Sequence, residues 1–190
     1  MAKEKEWMAM RRNAISELCK WVDVNVRPDN YNTHDNCKGD CTTRALTFCL
    51  GGEMTYNQVE DEQYKRAAKK GSRRNRTGVY DTILLDRGWR WIQLSKPIAR
   101  GEVAVRLAKK LPDVKAMTLS RTHIAVVEGG NLIDTWDSRA GRVFAVMVPG
   151  KDKKIVDAAK WCLTWDNGID CVVLPKGKRP RNTGYKRRGW

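Results

Sequence analysis

The segment from His123 to Trp136, HIAVVEGGNLIDTW, constrains the fold of this chain more than any other. Two short apolar runs in it flank the pair Gly129-Gly130. Glycine adopts positive φ values without steric strain, and two such residues between apolar runs are a strong signal for a two-residue β-turn. The segment therefore predicts a β-hairpin.

A two-residue turn also fixes how the hairpin strands pair. Glu128 then pairs with Asn131, which places His123 and Asp134 diagonally on the same face of the sheet. Diagonal neighbours of this kind are within reach of long side chains. A three-residue turn would reverse the parity of the second strand, so Asp137 remains an alternative to Asp134.

Helical patterns precede the hairpin, and further β-rich runs surround it. The patterns predict helices at 6–24, 41–50, 79–86 and 153–165, and one more that begins at 55 and continues into a basic arm at 65–76. They predict strands at 89–94, 114–119, 142–148 and 169–174. Asp40 is placed to cap the second helix, and Gly51 to end it. Thr55 and Gln58 form the capping-box pattern of the third helix. Helices first and an antiparallel sheet afterwards predict an α+β fold.

The composition favours a soluble globular protein with one core. The chain has 190 residues, of which 41% are hydrophobic and 31% charged. Its apolar runs are far shorter than the ~20 residues that span a bilayer, and residues 1–6 lack the apolar stretch of a secretory signal. We therefore expect a cytosolic protein whose six cysteines are buried or reactive thiols rather than a disulfide framework.

Cys41 occupies the first turn of a predicted helix. Unpaired backbone N–H groups and the helix dipole favour an anion there, which lowers a thiol pKa and suits a nucleophile. The neighbouring carboxylate of Asp40 acts in the opposite direction unless it is engaged in capping. The alternative interpretation of Cys41 is a sulfur packed in the core.

His123 is one of only two histidines in the chain. A carboxylate across the hairpin, from Asp134 or Asp137, can hold an imidazole in one tautomer and stabilise its charged form. The alternatives are a half-buried histidine bonded to any neighbour, and aspartates that simply end a strand in water.

The order of Cys41, His123 and Asp134 along the chain carries a resemblance. A cysteine that opens a helix, followed by a hairpin with histidine and aspartate on adjacent strands, resembles the papain-like cysteine peptidases. The pattern is also similar to that of uncharacterised cysteine-hydrolase-like proteins of bacteriophages. The resemblance covers about 36–148. It implies N-terminal helices with the nucleophile helix packed on an antiparallel sheet.

Shorter motifs add to this resemblance. Asp134 begins an Asp-Thr-Trp stretch that is similar to the Asn-Ser-Trp of papain. Asp40 precedes the cysteine as in the Asp-Cys pair of NlpC-like cell-wall peptidases, whereas Thr42 and Thr43 stand where those proteins have Ser-Gly.

The resemblance implies a hydrolase that cleaves an amide or isopeptide bond of a protein or peptide substrate, without a cofactor or metal. Cys41 would be the nucleophile, His123 the general base and acid, and Asp134 the orienting carboxylate. In papain a glutamine six residues before the cysteine donates to the oxyanion. Asp35 stands at that position here, and Asn36 is the nearest amide.

Two other uses of the cysteines are open. His34, Cys37, Cys41 and Cys49 lie close enough in sequence to suggest zinc. However, the last two are eight positions apart on one predicted helix, about 12 Å by helix rise, which is too far to share one tetrahedral ion. Cys37 could instead act as a resolving thiol for Cys41.

The formal net charge of +15 is concentrated in two runs. Residues 65–76 and 176–190 each contain seven basic residues and no acidic one. Such runs are typical of solvated surfaces, but they also favour nonspecific, salt-dependent binding to nucleic acid or another polyanion. Tyr185 and Trp190 could stack on bases in the second run. The alternative to an enzyme is thus an inactive papain-like scaffold that binds nucleic acid or a viral assembly.

The predicted organisation has three parts. Residues 1–30 form an N-terminal helix and linker, 31–175 form the α+β domain with the basic arm at 65–76, and 176–190 form a disordered basic tail. We expect no membrane association, and a location in the cytoplasm, or in the host cytoplasm or virion if the gene is a phage gene. The sequence predicts no oligomeric state.

Overall fold

The structure is a computed structural model that describes residues 18–24, 26, 40–166 and 168–181. The strands are β1 (Trp21–Asp23), β2 (Arg90–Ala99), β3 (Ala116–Ser120), β4 (Ile124–Glu128), β5 (Asn131–Asp134), β6 (Arg142–Val148) and β7 (Cys171–Val173). The helices are α1 (Cys41–Leu50), α2 (Tyr56–Lys70), α3 (Thr82–Leu85), α4 (Arg100–Ala108) and α5 (Lys153–Thr164). The predicted α+β class is confirmed. None of the helices within the described residues is both long enough and apolar enough to cross a membrane.

The seven strands form one mixed sheet in the order β1-β5-β4-β3-β6-β2-β7. Only the β1–β5 pair among these is parallel. The sheet is covered on both faces, so six of the seven residues of β6 are buried. Val146 and Val148 pack on one face, and Ala145 and Met147 on the other.

Two hydrophobic cores lie on the two faces of the sheet. One contains residues of α4 and α5, such as Val103 and Leu163. The other contains residues of α1, α2 and α3, such as Leu46, Val59 and Leu84. The fold is therefore a sandwich of three layers, helices–sheet–helices, in which α1, α4 and α5 pack against the sheet and α2 packs against α1.

Helix α1 has the predicted bounds, and its ends follow local chemistry. Gly51 ends it in the left-handed conformation, with φ of 58°, and its N–H donates to the carbonyl of Phe48. The predicted capping role of Asp40 is wrong, because its side chain makes no capping hydrogen bond. Its carboxylate instead pairs with Arg44 at 3.0 Å and accepts from the Tyr56 hydroxyl at 3.0 Å.

Helix α2 begins with the predicted capping box. Thr55 accepts from the Gln58 N–H, and the Gln58 side chain accepts from the Thr55 N–H. The helix continues to Lys70 and ends at Gly71 in the left-handed conformation. The first half of the basic arm is therefore helical.

Two elements differ from the sequence prediction. The predicted helix at 6–24 falls mostly outside the described residues, but its last part, 21–23, is the strand β1 and not a helix. This strand pairs in parallel with β5, and Trp21 donates from its ring N–H to the carbonyl of Asp134 at 2.9 Å. The sequence pattern did not predict α4, which is short and contains Gly101 next to its start.

The part of the predicted tail that the structure describes, 176–181, is attached to the domain rather than free of it. The Gln93 side chain donates to the carbonyl of Arg181 at 2.9 Å and accepts from its N–H at 2.7 Å. The guanidinium of Arg179 packs directly on Gly78. Residues 182–190, including Tyr185 and Trp190, lie outside the described residues.

Candidate active site

The candidate site lies where α1 meets the hairpin formed by β4 and β5. The hairpin has the predicted register, with Glu128 opposite Asn131. Cys41 opens α1, His123 immediately precedes β4 and Asp134 ends β5. Residues that are more than eighty positions apart in sequence therefore meet at one end of the sheet.

His123 and Asp134 form a short hydrogen bond. The Nε2 atom of His123 lies 2.6 Å from Oδ2 of Asp134, and their side chains are only 11% and 4% exposed. The indole of Trp136 covers the imidazole, with ring centroids 4.8 Å apart. Asp137, the alternative carboxylate, is exposed and pairs with Arg139 at 2.7 Å. Of the two aspartates, Asp134 is the one that contacts the imidazole.

Cys41 lies beside the same imidazole, and each of the two groups shifts the pKa of the other. Because Nε2 of His123 is engaged by the carboxylate, Nδ1 is the nitrogen left for the thiol. Burial by itself would raise the pKa of the Cys41 thiol. Hydrogen bonds from His123 and the Ile124 N–H, with the charges of His123 and Arg44, outweigh burial and hold the pKa below its ordinary value of 9.0.

The pKa of His123 shifts in the opposite direction. Burial lowers it, but hydrogen bonds to Asp134 and Cys41 and their negative charges raise it above the ordinary 6.5. A lowered thiol pKa beside a raised imidazole pKa shifts the pair toward the thiolate–imidazolium state. This is the charge state that a cysteine nucleophile requires.

A buried arginine lies beneath this pair. The Arg100 side chain is completely buried, and burial lowers its pKa to about 10. It donates to the Ser138 hydroxyl at 2.6 Å and to the carbonyl of His123 at 3.3 Å. Ser138 in turn donates to Asp134 at 2.6 Å. Arg100 and Ser138 thus hold the carboxylate that orients the imidazole.

A second network holds the first turn of α1. Gln63 of α2 accepts from the Thr43 hydroxyl at 2.7 Å and donates to the Thr42 hydroxyl at 3.1 Å. Arg74 donates to Thr43 at 3.1 Å and pairs with Glu60 at 2.6 Å. These contacts fix the helix turn that carries Cys41, and they use two threonines that follow it directly.

A cleft of about 320 Å³ opens beside Cys41 and His123. Its walls are side chains from 75–80, at the end of the basic arm and just beyond it, and from 119–124, at the turn between β3 and β4. The Gly78 N–H donates to the Asp81 carboxylate, and the Lys70 ammonium donates to the Gly78 carbonyl. These two hydrogen bonds anchor the first wall. The cleft gives a substrate access to the thiol.

The predicted oxyanion donor Asn36 lies outside the described residues, as do His34 and Cys37 of the alternative zinc set. The structure describes an amide that sequence reasoning missed, because Asn75 lines the cleft together with Cys41. Within the described part of the chain, no three His, Cys, Asp or Glu side chains are grouped closely enough to hold a metal ion.

Sequence reasoning also missed Arg100, Ser138, Gln63 and Arg74. Arg74 was counted among surface cations, although it is 8% exposed and bonded internally. One signal was available for Ser138, because it follows Asp134 by four positions and could fold back on it through a turn. The local sequence carries no comparable signal for Arg100.

Comparisons with protein-family models, with curated proteins and with solved structures find no match to this chain. The function is therefore inferred from the geometry of the site itself.

Proposed function

We propose that this protein is a papain-like cysteine hydrolase that cleaves an amide or isopeptide bond through an acyl-enzyme. The observation that carries the proposal is the meeting of Cys41, His123 and Asp134 at one site: the His123 ring is hydrogen-bonded to Asp134 and borders the same cleft as the Cys41 thiol. The opposite pKa shifts of the thiol and the imidazole support it, because they are the shifts that an activated thiolate needs.

The proposed reaction has two halves. The Cys41 thiolate attacks the carbonyl carbon and forms a C–S bond, and the His123 imidazolium gives its proton to the nitrogen as the C–N bond breaks. A water molecule then attacks the thioester while His123 takes one of its protons. The C–S bond breaks, the acid is released and the thiolate is restored. Asp134 keeps the imidazole oriented and stabilises its charged form throughout.

The tetrahedral intermediates need hydrogen-bond donors for the oxyanion. The Cys41 N–H is one proposed donor, because the first N–H groups of a helix have no partner within the helix. Asn36 remains the donor predicted from the sequence. Asn75 is a second candidate, since it lines the same cleft as Cys41. Replacing each asparagine with alanine and comparing turnover would distinguish the two.

Alkylation by iodoacetamide near pH 6, followed by mass spectrometry of each cysteine, tests the proposed nucleophile. Cys41 is expected to react much faster than the other thiols, because only its pKa is lowered among the five cysteines that the structure describes. In His123→Ala that advantage should disappear. Slow and equal labelling of all cysteines in the folded wild-type protein would contradict the proposal.

A second function, binding of a polyanion, is favoured by the positions of the two basic runs. Contact of Arg179 with Gly78 brings the start of the second run beside the end of the first. In the arm itself, Lys65, Lys69 and Arg73 are exposed. Bringing together cations that are distant in sequence raises the local attraction for nucleic acid phosphates.

The salt dependence of binding to single-stranded DNA tests this second function. Neutralising Lys65, Lys69 and Arg73 to glutamine should flatten the slope of log K against log salt by about 2, since each phosphate contact contributes roughly 0.7. The matched control neutralises the exposed Lys151, Lys153 and Lys154, which lie at the start of α5. Equal slopes for both triple variants would reject this surface as the binding site.

A further inference from the structure

The cleft beside Cys41 is cationic as well as polar. Arg76 on one wall and Arg121 on the other are both exposed and both line it. Among the residues that the structure describes, no aspartate or glutamate lines the cleft. The cleft also holds the His123 ring, whose raised pKa adds positive charge near neutral pH. A ligand in this space therefore meets positive charge on several sides.

The neutral groups of the cleft are mostly hydrogen-bonding groups. The polar residues Ser120 and Thr122 line the second wall, and Asn75 and Thr77 line the first. A volume of about 320 Å³ is near the lower end of the range for small-ligand sites, so it suits one or two side chains rather than a bulky group. Such a lining does not favour a large apolar side chain.

Guanidinium groups bind carboxylates through paired, charge-assisted hydrogen bonds. From the two arginines, the hydroxyls and the lack of acidic lining, we infer that the cleft binds a carboxylate-bearing segment of the substrate, so that the preferred substrates are acidic peptides. This inference rests on the proposed function, since it assigns the specificity of the same thiol. Arg76 is then the specificity-determining residue, and Arg121 adds positive charge to the same cleft.

A pair of alkylating reagents tests the inference without a known substrate. Iodoacetate and iodoacetamide each form a C–S bond with the thiolate and release iodide, and they differ only in carboxylate against amide. The quantity measured is the ratio of their rate constants at Cys41, divided by the same ratio for glutathione. A cationic cleft should raise this normalised ratio about three- to tenfold at low salt, and added salt should reduce it.

The arginine variants decide the cause, because the His123 imidazolium also attracts iodoacetate. Arg76→Gln is expected to lower the normalised ratio about threefold, with Arg121→Gln acting in the same direction. The matched control is Arg73→Gln, which removes an equally exposed charge of the same arm from outside the cleft lining and should leave the ratio unchanged. Circular dichroism and thermal melting would check that each variant folds like the wild-type protein.

The outcomes separate the two proposals. If iodoacetamide labels Cys41 rapidly but the normalised ratio is near one, or falls equally in Arg76→Gln and Arg73→Gln, the acidic specificity is overturned and the proposed hydrolase stands. If Cys41 reacts as slowly as the other cysteines with both reagents, the hydrolase proposal fails, and the inference fails with it.

A pair of peptides that differ only by glutamate against glutamine extends the test to turnover. The glutamate peptide should have the lower KM in the wild-type protein. Arg76→Gln should remove most of this difference, whereas the control Arg73→Gln should retain it. A KM preference for the glutamine peptide would also overturn the inference.

Discussion

The two ends of α1 carry the same functional group in opposite states. At the first residue, the pKa of Cys41 lies below the ordinary value because His123, the Ile124 N–H and Arg44 together outweigh burial. At the ninth, Cys49 is buried in the core, and burial raises its pKa far above the ordinary value. The two sulfurs belong to one short helix, so helix membership does not distinguish them.

The difference shows how the surroundings set the role of a thiol. Cys49 packs among apolar side chains and has one nearby cation, Lys115, whose effect is much smaller than that of burial. Cys41 borders a cleft and has direct hydrogen-bond donors. Hydrogen-bond donors and exposure to a cleft make the Cys41 thiol reactive, whereas apolar packing keeps the Cys49 thiol inert.

The substitution expected to break this contrast most strongly is Asp134→Asn. Without the carboxylate the pKa of His123 falls, so less imidazolium is present to stabilise the thiolate, and the pKa of Cys41 rises toward 9.0. We expect Cys41 alkylation near pH 6 to slow by about 100-fold, since each pKa unit changes the thiolate fraction about tenfold. The matched control, Asp137→Asn, makes the same chemical change at an exposed position and should leave the rate unchanged. The same rate in both variants would contradict the assignment of Asp134.

A second substitution, Ser138→Ala, tests the support beneath the pair. It removes one bond to Asp134 and leaves one Arg100 N–H without its closest acceptor. We expect the free energy of unfolding to fall by about 2 kcal/mol, measured by urea denaturation. Ser120→Ala is the matched control, because it removes a hydroxyl that donates to the backbone of His123 instead. The two variants should differ in the pH dependence of Cys41 alkylation, because only Ser138→Ala is expected to shift that profile toward higher pH. An unshifted profile in Ser138→Ala would limit Ser138 to a structural role.

At the inert end of α1, Cys49→Ser sharpens the contrast. It places a hydroxyl among apolar neighbours, and we expect a loss of about 1 to 2 kcal/mol of stability relative to Cys49→Ala, measured in the same denaturation assay. The alkylation rate of Cys41 should remain that of the wild-type protein. A slower Cys41 would show that the two ends of the helix are coupled.

The smallest expected effect belongs to Arg44→Gln. The charge of Arg44 lowers the pKa of Cys41 less than His123 does, and its side chain is 21% exposed, so solvent screens it. We expect Cys41 alkylation near pH 6 to slow by about two- to threefold. A 100-fold loss would instead identify Arg44 as a principal source of the thiolate. Added salt should narrow the difference between variant and wild type.

The parts of the site that the sequence predicted depend on short-range signals. Gly129-Gly130 determined the turn, the turn determined the register, and the register brought His123 to Asp134. The first turn of α1 could likewise be recognised from the residues around Cys41. These features need only local chemistry and the period-two geometry of strands.

The parts that could not be predicted depend on contacts between distant segments. The β1–β5 pair joins Trp21 to Leu132, and the pattern before β1 resembled a helix. Arg74 had the appearance of a surface cation until the fold brought it to Glu60 and Thr43. Burial of Arg100 likewise requires acceptors from three other segments of the chain. A single sequence does not encode such meetings in any local pattern.

The three-layer arrangement has a practical consequence for folding experiments. Cys41 belongs to the helical layer on one face of the sheet, whereas Arg100, beneath His123, begins a helix of the other layer. The Cys41 thiol becomes more nucleophilic only after the helical layer that contains α1 has packed against the hairpin of β4 and β5. Brief pulses of alkylating reagent at different times of refolding would therefore measure when this packing occurs, because the alkylation rate of Cys41 rises at that point. The natural thiol serves as the probe, and no dye has to be attached.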